Sequence, residues 1–201
     1  KDAALDIQHA FDLGCRGVLL VPPYYFKDVT DDGLFNWYAE VFRLAGEKNL
    51  PTLAYHIPSV TGIAISAKLV SRLRAEFPSV MAGVKDSGGD WDHTSALLAE
   101  HRDLTILIGH EGQLARGIGA GACGTISGCM NFAPKLVSKL ARGEEDERID
   151  ILLDWLFEGP IIPNIKALVA EVTGQEDWRI AAAPLQTSTQ SVHADIAHLL
   201  K

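Results

Sequence analysis

The run Val80-Met81-Ala82-Gly83-Val84-Lys85, followed at once by Asp86-Ser87-Gly88-Gly89-Asp90, decides how the rest of the chain is read. A short apolar run closed by a glycine-rich turn reads as a buried strand rather than a helix. Lys85 then stands at the carboxyl end of that strand. An ammonium among apolar neighbours loses hydration, and the neutral amine carries the lone pair that attack on a ketone requires. Thirty residues earlier, Pro51-Thr52-Leu53-Ala54-Tyr55 repeats the arrangement with a phenol, and His56-Ile57-Pro58-Ser59-Val60-Thr61-Gly62 reads as the loop behind it. A tyrosine and a lysine ending consecutive parallel strands would point into one pocket.

Working outward, short apolar runs alternate with longer amphipathic ones. Strands are expected at 17–21, 52–55, 80–85, 104–109 and 124–127. Between them, 30–48 carries Leu34, Tyr38, Val41, Phe42 and Ala45 on one helical face, with Thr30 as N-cap. Residues 66–77 carry a Leu69-Val70-Leu73-Phe77 stripe, Asp90 caps a further helix, and 111–120 supplies another. Such alternation, with nearly continuous apolar strands, predicts a parallel sheet covered by helices. After Ser127 the strands stop, and 134–143, 144–157, 163–173 and 188–201 read as helices. Unusual polar chemistry follows every strand: Pro-Pro-Tyr-Tyr, Tyr-His-Ile-Pro, Lys-Asp-Ser-Gly-Gly, Gly-His-Glu-Gly and Ser-Gly-Cys. That one-sided distribution favours a (β/α)8 barrel, whose sites lie at the strand C-termini, over a doubly wound sheet with one switch point.

The 201 residues are 47% hydrophobic, enough for a sizeable core, and the net charge of -8 argues against nucleic acid or an anionic membrane as partner. No apolar run approaches the ~20 residues of a membrane span. Cys15, Cys123 and Cys129 lack paired metal-ligand spacing and suit reduced thiols, hence a cytoplasmic protein.

Tyr55 to Gly62 resembles the Tyr-x-x-Pro-x-x-Thr-Gly motif of the dihydrodipicolinate synthase/N-acetylneuraminate lyase family, and Gly83-Val84-Lys85-Asp86-Ser87 resembles its Schiff-base lysine motif. Pro23-Tyr24-Tyr25, Gly121-Ala122-Cys123-Gly124-Thr125-Ile126-Ser127, and Asn131 with Pro134 are supporting matches. The resemblance implies a TIM (β/α)8 barrel, here lacking about the first three strands, with a C-terminal helical extension. Residues 1–131 would form the partial barrel and 132–201 the helical region. Five strands leave two open edges, so the chain is expected to be part of a longer protein and inactive alone.

The resemblance also implies roles. Lys85 would be the nucleophile and Tyr55 the general acid/base, with Tyr25 lent to a neighbouring subunit's proton relay. Thr61, Gly62, Ser87, Gly109, Glu111 and the backbone of Ile126 would line the substrate; as a side chain, Ile126 is expected in the barrel core. Thr61 and Gly62 also suit a plain turn, and Glu111 the first turn of a helix. Val60 occupies the position where the family's lysine-biosynthetic synthases carry an arginine, which makes it a specificity position and favours a 2-keto-3-deoxy sugar acid. The implied chemistry is a lyase or aldolase of a 2-oxo acid and an aldehyde, with no metal or organic cofactor and a homo-oligomeric dimer of dimers. Competing readings are the synthase proper, a sugar-acid dehydratase, and a non-catalytic binding relative. Gly119-Ala120-Gly121-Ala122-Cys123-Gly124 satisfies G-x-G-x-x-G but precedes a strand, so it does not mark a dinucleotide site. His93, His101 and His110 lack metal-ligand spacing and are expected at the surface.

Overall fold

The computed structural model describes residues 1–200. It opens with α1 (Asp2–Asp12) and β1 (Val18–Leu20), followed by α2 (Asp31–Ala45), β2 (Thr52–His56) and the one-turn α3 (Pro58–Thr61). Then come α4 (Ala67–Glu76), β3 (Met81–Asp86), α5 (Trp91–Glu100), β4 (Thr105–Ile108), α6 (Leu114–Gly119) and β5 (Gly124–Thr125). Four helices complete the order: α7 (Pro134–Leu140), α8 (Arg148–Phe157), α9 (Ile161–Thr173) and α10 (Ala194–Leu199).

The strands form one parallel sheet in the order β1-β2-β3-β4-β5. Sequence order and spatial order coincide, so the sheet has no reversal and no switch point; this is barrel winding. Polar caps start the covering helices, at Thr30 and Asp90 as the sequence predicts and at Ser66 in addition. Thr30 Oγ1 accepts from Gly33 N at 3.2 Å, Ser66 Oγ from Leu69 N at 3.0 Å, and Asp90 Oδ1 from Asp92 N at 3.0 Å. Each cap satisfies an amide that the first helical turn leaves orphaned, typically worth about 1 kcal/mol.

Burial alternates along β2 and β4, as a period of two requires, whereas β3 is buried from Gly83 to Asp86 on both faces. Ala54, Val84 and Ile106 enter a core with Leu69, Leu73 and Leu97 of the helices. The opposite face carries Leu19, Leu53, Tyr55, Lys85 and Leu107. Leu19 is exposed, and Leu53, Tyr55 and Leu107 are half-buried. Between β2 and β3 the register shifts: Thr52 pairs with Met81 but Leu53 with Gly83, leaving Ala82 as an extra residue. A Cβ on Gly83 would come within 1.9 Å of the Thr105 carbonyl oxygen, so only glycine permits this approach. The consequence is the pairing Tyr55↔Lys85 and His56↔Asp86.

Residues 1–110 with 119–126 form one compact unit, and 111–118 with 127–201 form a second. In the second, Leu136, Val137, Leu152, Leu156 and Leu168 are buried. Asn164, also buried, donates to the Leu156 carbonyl and to Gln190 Oε1 and accepts from Ser188 Oγ, joining α8, α9 and the 188–190 segment.

Several expected elements differ. The Pro58–Gly62 loop contains a helical turn with proline at its start and left-handed Gly62 (φ 68°) as its cap, too short to show a hydrophobic period. The 111–120 helix begins as a 3-10 turn over Glu111–Gln113. The 144–157 helix starts at Arg148, because Asp146 binds the Arg148 amide and guanidinium. The 188–201 helix shrinks to α10, since the Ser188 and Gln190 side chains are drawn to Asn164.

Candidate active site

Lys85 and Tyr55 meet as their pairing requires. Lys85 Nζ lies 3.1 Å from Tyr55 Oη and 4.3 Å from the centre of its ring. Lys85 is only 8% exposed, so its amine is held by the strand rather than sweeping through solvent. The contact is reversible in sense: the ammonium donates to the phenol oxygen, and a phenol can donate to the free amine. Such a pair can pass a proton while leaving a nucleophilic nitrogen.

Around the strand ends, the loops are held by their own hydrogen bonds. The Thr61 hydroxyl donates to the Ile57 and Ile63 carbonyls (3.0 and 3.1 Å) and accepts from Ile63 N, so it shapes the turn. Lys27 Nζ donates to the Tyr24 and Thr61 carbonyls, each at 2.6 Å, tying the loop after β1 to the loop after β2. A Cβ on Gly62 would meet that lysine at 3.2 Å. Ser87 N donates to the His56 carbonyl and Gly109 N to the Asp86 carbonyl, which extends the strand pairing by one residue. A Cβ on Gly109 would lie 2.0 Å from Ser87 Oγ and 3.0 Å from the Asp86 carbonyl oxygen, so the two loops approach closely there.

The other predicted residues differ in their surroundings. Tyr25 is 84% exposed, its ring edge-on to Phe26, and Val60 is 70% exposed on α3. Ile126 is 47% exposed rather than in the core, because β5 ends at Thr125. In the second unit, the buried Glu111 carboxylate accepts from Ser127 Oγ at 2.5 Å. Burial and this carboxylate push the Cys129 thiol up, which makes it unreactive. Cys15, Cys123 and Cys129 are all free thiols.

The sequence reading missed the pair beside the first one. His93 and His101 are not surface residues. His101 is buried with Nε2 3.2 Å from the Ala67 carbonyl, and half-buried His93 stacks on buried His56 with centroids 4.0 Å apart; His110 too is half-buried. Asp86, 2% exposed, accepts from Gly88 N, Thr94 Oγ1 and His93 Nδ1 at 2.9, 2.7 and 3.1 Å. These bonds hold its carboxyl below the usual range despite opposing burial. Asp86 and the backbone of Ile65 raise His93, whereas burial and the neighbouring His93 lower His56 to about 4. One signal was available: a polar residue follows both Tyr55 and Lys85 at the same offset.

Ligand-type atoms of His56, Asp86 and His93 all lie within 4.8 Å of one another. They do not fit a metal ion. Stacked rings direct their lone pairs along parallel planes, and His56 Nδ1 and both His93 nitrogens already have partners.

Comparison with known proteins agrees with this architecture. The chain matches the sequence model of the dihydrodipicolinate synthetase family over residues 1–201, and it belongs to that family. A 4-hydroxy-tetrahydrodipicolinate synthase of Thermus thermophilus is 36% identical over 132 residues, covering 65% of this chain and 43% of its own length. Rat N-acetylneuraminate lyase is 28% identical, with 96% of this chain and 64% of that protein covered. The crystal structure of dihydrodipicolinate synthase from Agrobacterium tumefaciens str. C58 superposes with a TM-score of 0.91 at 44% identity, covering 99% of this chain and 68% of that one. The chain is thus part of a TIM barrel, and matches the Thermus relative over less than half of that protein's length. None of the helices among the described residues is long and apolar enough to cross a membrane.

Proposed function

We propose that the protein is a Schiff-base lyase or aldolase that cleaves or forms a carbon–carbon bond next to a 2-oxo acid. The observation that carries this reading is the 3.1 Å contact between Lys85 Nζ and Tyr55 Oη at the ends of adjacent parallel strands. The neutral Lys85 amine attacks the 2-keto carbon, and the carbonyl oxygen takes one proton from the amine and one from the Tyr55 phenol and leaves as water, which gives an iminium and a Tyr55 phenolate. In cleavage, the C4 hydroxyl gives its proton to the Tyr55 oxygen while the C3–C4 electrons flow into the iminium. An aldehyde departs, and the resulting enamine is protonated at C3 before water releases pyruvate and the free amine. Every proton and electron pair is accounted for by Lys85, Tyr55 and water, so the scheme requires no metal or organic cofactor.

For the aldehyde half, Val60 favours a sugar acid of the 2-keto-3-deoxy type. It offers neither charge nor donor, and a carboxylate there would forgo a charge-assisted contact of about 1.5–3 kcal/mol. A second reading, the lysine-biosynthetic synthase, is supported by the 44% identity to the Agrobacterium enzyme and by Lys27, a cation beside the Thr61–Gly62 turn. Rates on the whole protein separate them: pyruvate with aspartate semialdehyde against cleavage of sugar acids and sialic acid. Faster condensation with the semialdehyde selects the synthase.

The mechanism itself is tested by borohydride reduction in the presence of pyruvate. A reduced adduct is expected at Lys85, and Lys85→Ala should abolish it. Adduct on another lysine would defeat the assignment.

A further inference from the structure

His56 and Asp86 lie one residue beyond Tyr55 and Lys85, and alternation sends them to the opposite face of the sheet. There the strand ends meet α5 and the segment leading into α4. His93, in the first turn of α5, presents both ring nitrogens to acceptors: Nδ1 is 3.1 Å from Asp86 Oδ2, and Nε2 is 2.8 Å from the Ile65 carbonyl oxygen. A carbonyl cannot donate, and this Asp86 oxygen already accepts from Thr94 Oγ1. Satisfying both contacts therefore requires a proton on each nitrogen, which makes the ring an imidazolium. His56 is its complement. Its Nδ1 accepts from Ile65 N at 3.0 Å, so its proton sits on Nε2 and the neutral ring stacks on the cation. Ile65 thus serves both rings, its amide to one and its carbonyl to the other.

We propose that His93 is a half-buried imidazolium whose ion pair with the buried Asp86 fixes the ends of β2 and β3, and so positions Tyr55 against Lys85 from the reverse face of the sheet. The charged or titratable groups facing it are Asp86 from β3, Asp90 at the start of α5, and His56 from β2. The direction of the His93 shift agrees with a ring held by two acceptors. Gly88 completes the arrangement: a Cβ there would strike His56 Nε2 at 2.7 Å, while its amide donates to Asp86 Oδ1. His93 is a positioning residue; it touches no reacting atom, and its consequence for catalysis rests on the Schiff-base reading above.

The test uses the whole protein. Nitrogen-15 spectra of the histidine rings at pH 7.5 should show both His93 nitrogens protonated and His56 protonated at Nε2 alone. His93→Gln should speed hydrogen exchange of the Ser87 and Gly88 amides and slow imine formation with pyruvate, each about tenfold. His93→Asn, whose amide nitrogen falls near the Nδ1 position and can still donate to Asp86, should restore much of both. A neutral His93 at pH 7.5 overturns the proposal, as does a His93→Gln protein with unchanged exchange and unchanged imine rate. If the unaltered protein forms no imine, the function proposed above fails, while the ring spectra and amide exchange still judge the ion pair.

Discussion

At the ends of β2 and β3, two polar pairs sit one residue apart on opposite faces of the same sheet. Tyr55–Lys85 has a single hydrogen bond between its members and leaves the phenol half-buried. His56–Asp86 is sealed: Asp86 accepts three hydrogen bonds, and the His56 ring is covered by a second imidazole. The difference is the one expected between a group that must exchange protons and a group that must not move. A reactive amine needs spare valence and access. A buried carboxylate needs every lone pair satisfied, since an unpaired charge there costs several kcal/mol.

Breaking the sealed pair should have the largest effect on folding. Asp86→Ala strands the His93 cation, the Thr94 hydroxyl and the Gly88 amide, and is expected to cost about 3–5 kcal/mol, read as a lowered denaturant midpoint. Breaking the open pair should do the reverse. Tyr55→Phe keeps the ring and removes one part-buried hydrogen bond, so kcat should fall about 10²–10⁴-fold while stability changes by about 1 kcal/mol. Steady-state kinetics and denaturant titration on one preparation test that split.

The pH dependence sharpens the comparison, because the two imidazoles pull in opposite directions. His56 has a folded pKa of about 4, below its ordinary 6.5, so the unfolded chain takes up the proton first as pH falls. Its contribution, roughly 3 kcal/mol, is whole above pH 6.5 and lost between there and about 4. His93 is raised instead; its contribution is whole below 6.5 and is lost as pH rises through the folded value. Thermal midpoints should therefore peak on the alkaline side of 6.5 and fall at both ends. In His56→Phe the acid loss between 6.5 and 4 should shrink. The smallest effect belongs to Thr94→Val, which removes one bond to Asp86 and should cost about 1.5 kcal/mol with kcat unchanged.

Much of this was legible in the sequence, because it depends on local order. Alternating apolar runs and polar caps dictate strands and helices, and turn chemistry behind each strand places the reactive residues at one end. The residues Thr30 and Asp90 cap as predicted because capping involves only neighbours along the chain. His93 was misread for the opposite reason: one histidine in the first turn of a helix carries no periodicity, and its burial depends on Asp86 and Ile65, 7 and 28 residues away.

By itself, then, the sequence determined that Tyr55 and Lys85 end neighbouring strands. Tertiary structure decided that they face each other. Had the Thr52↔Met81 register continued unbroken, Tyr55 would stand opposite Val84 and His56 opposite Lys85. The extra residue at Ala82, permitted by the close approach of the Gly83 backbone to Thr105, moves the pairing by one and brings the phenol to the amine. Register is a relation between two strands, fixed by what packs across them, and no single stretch of chain encodes it.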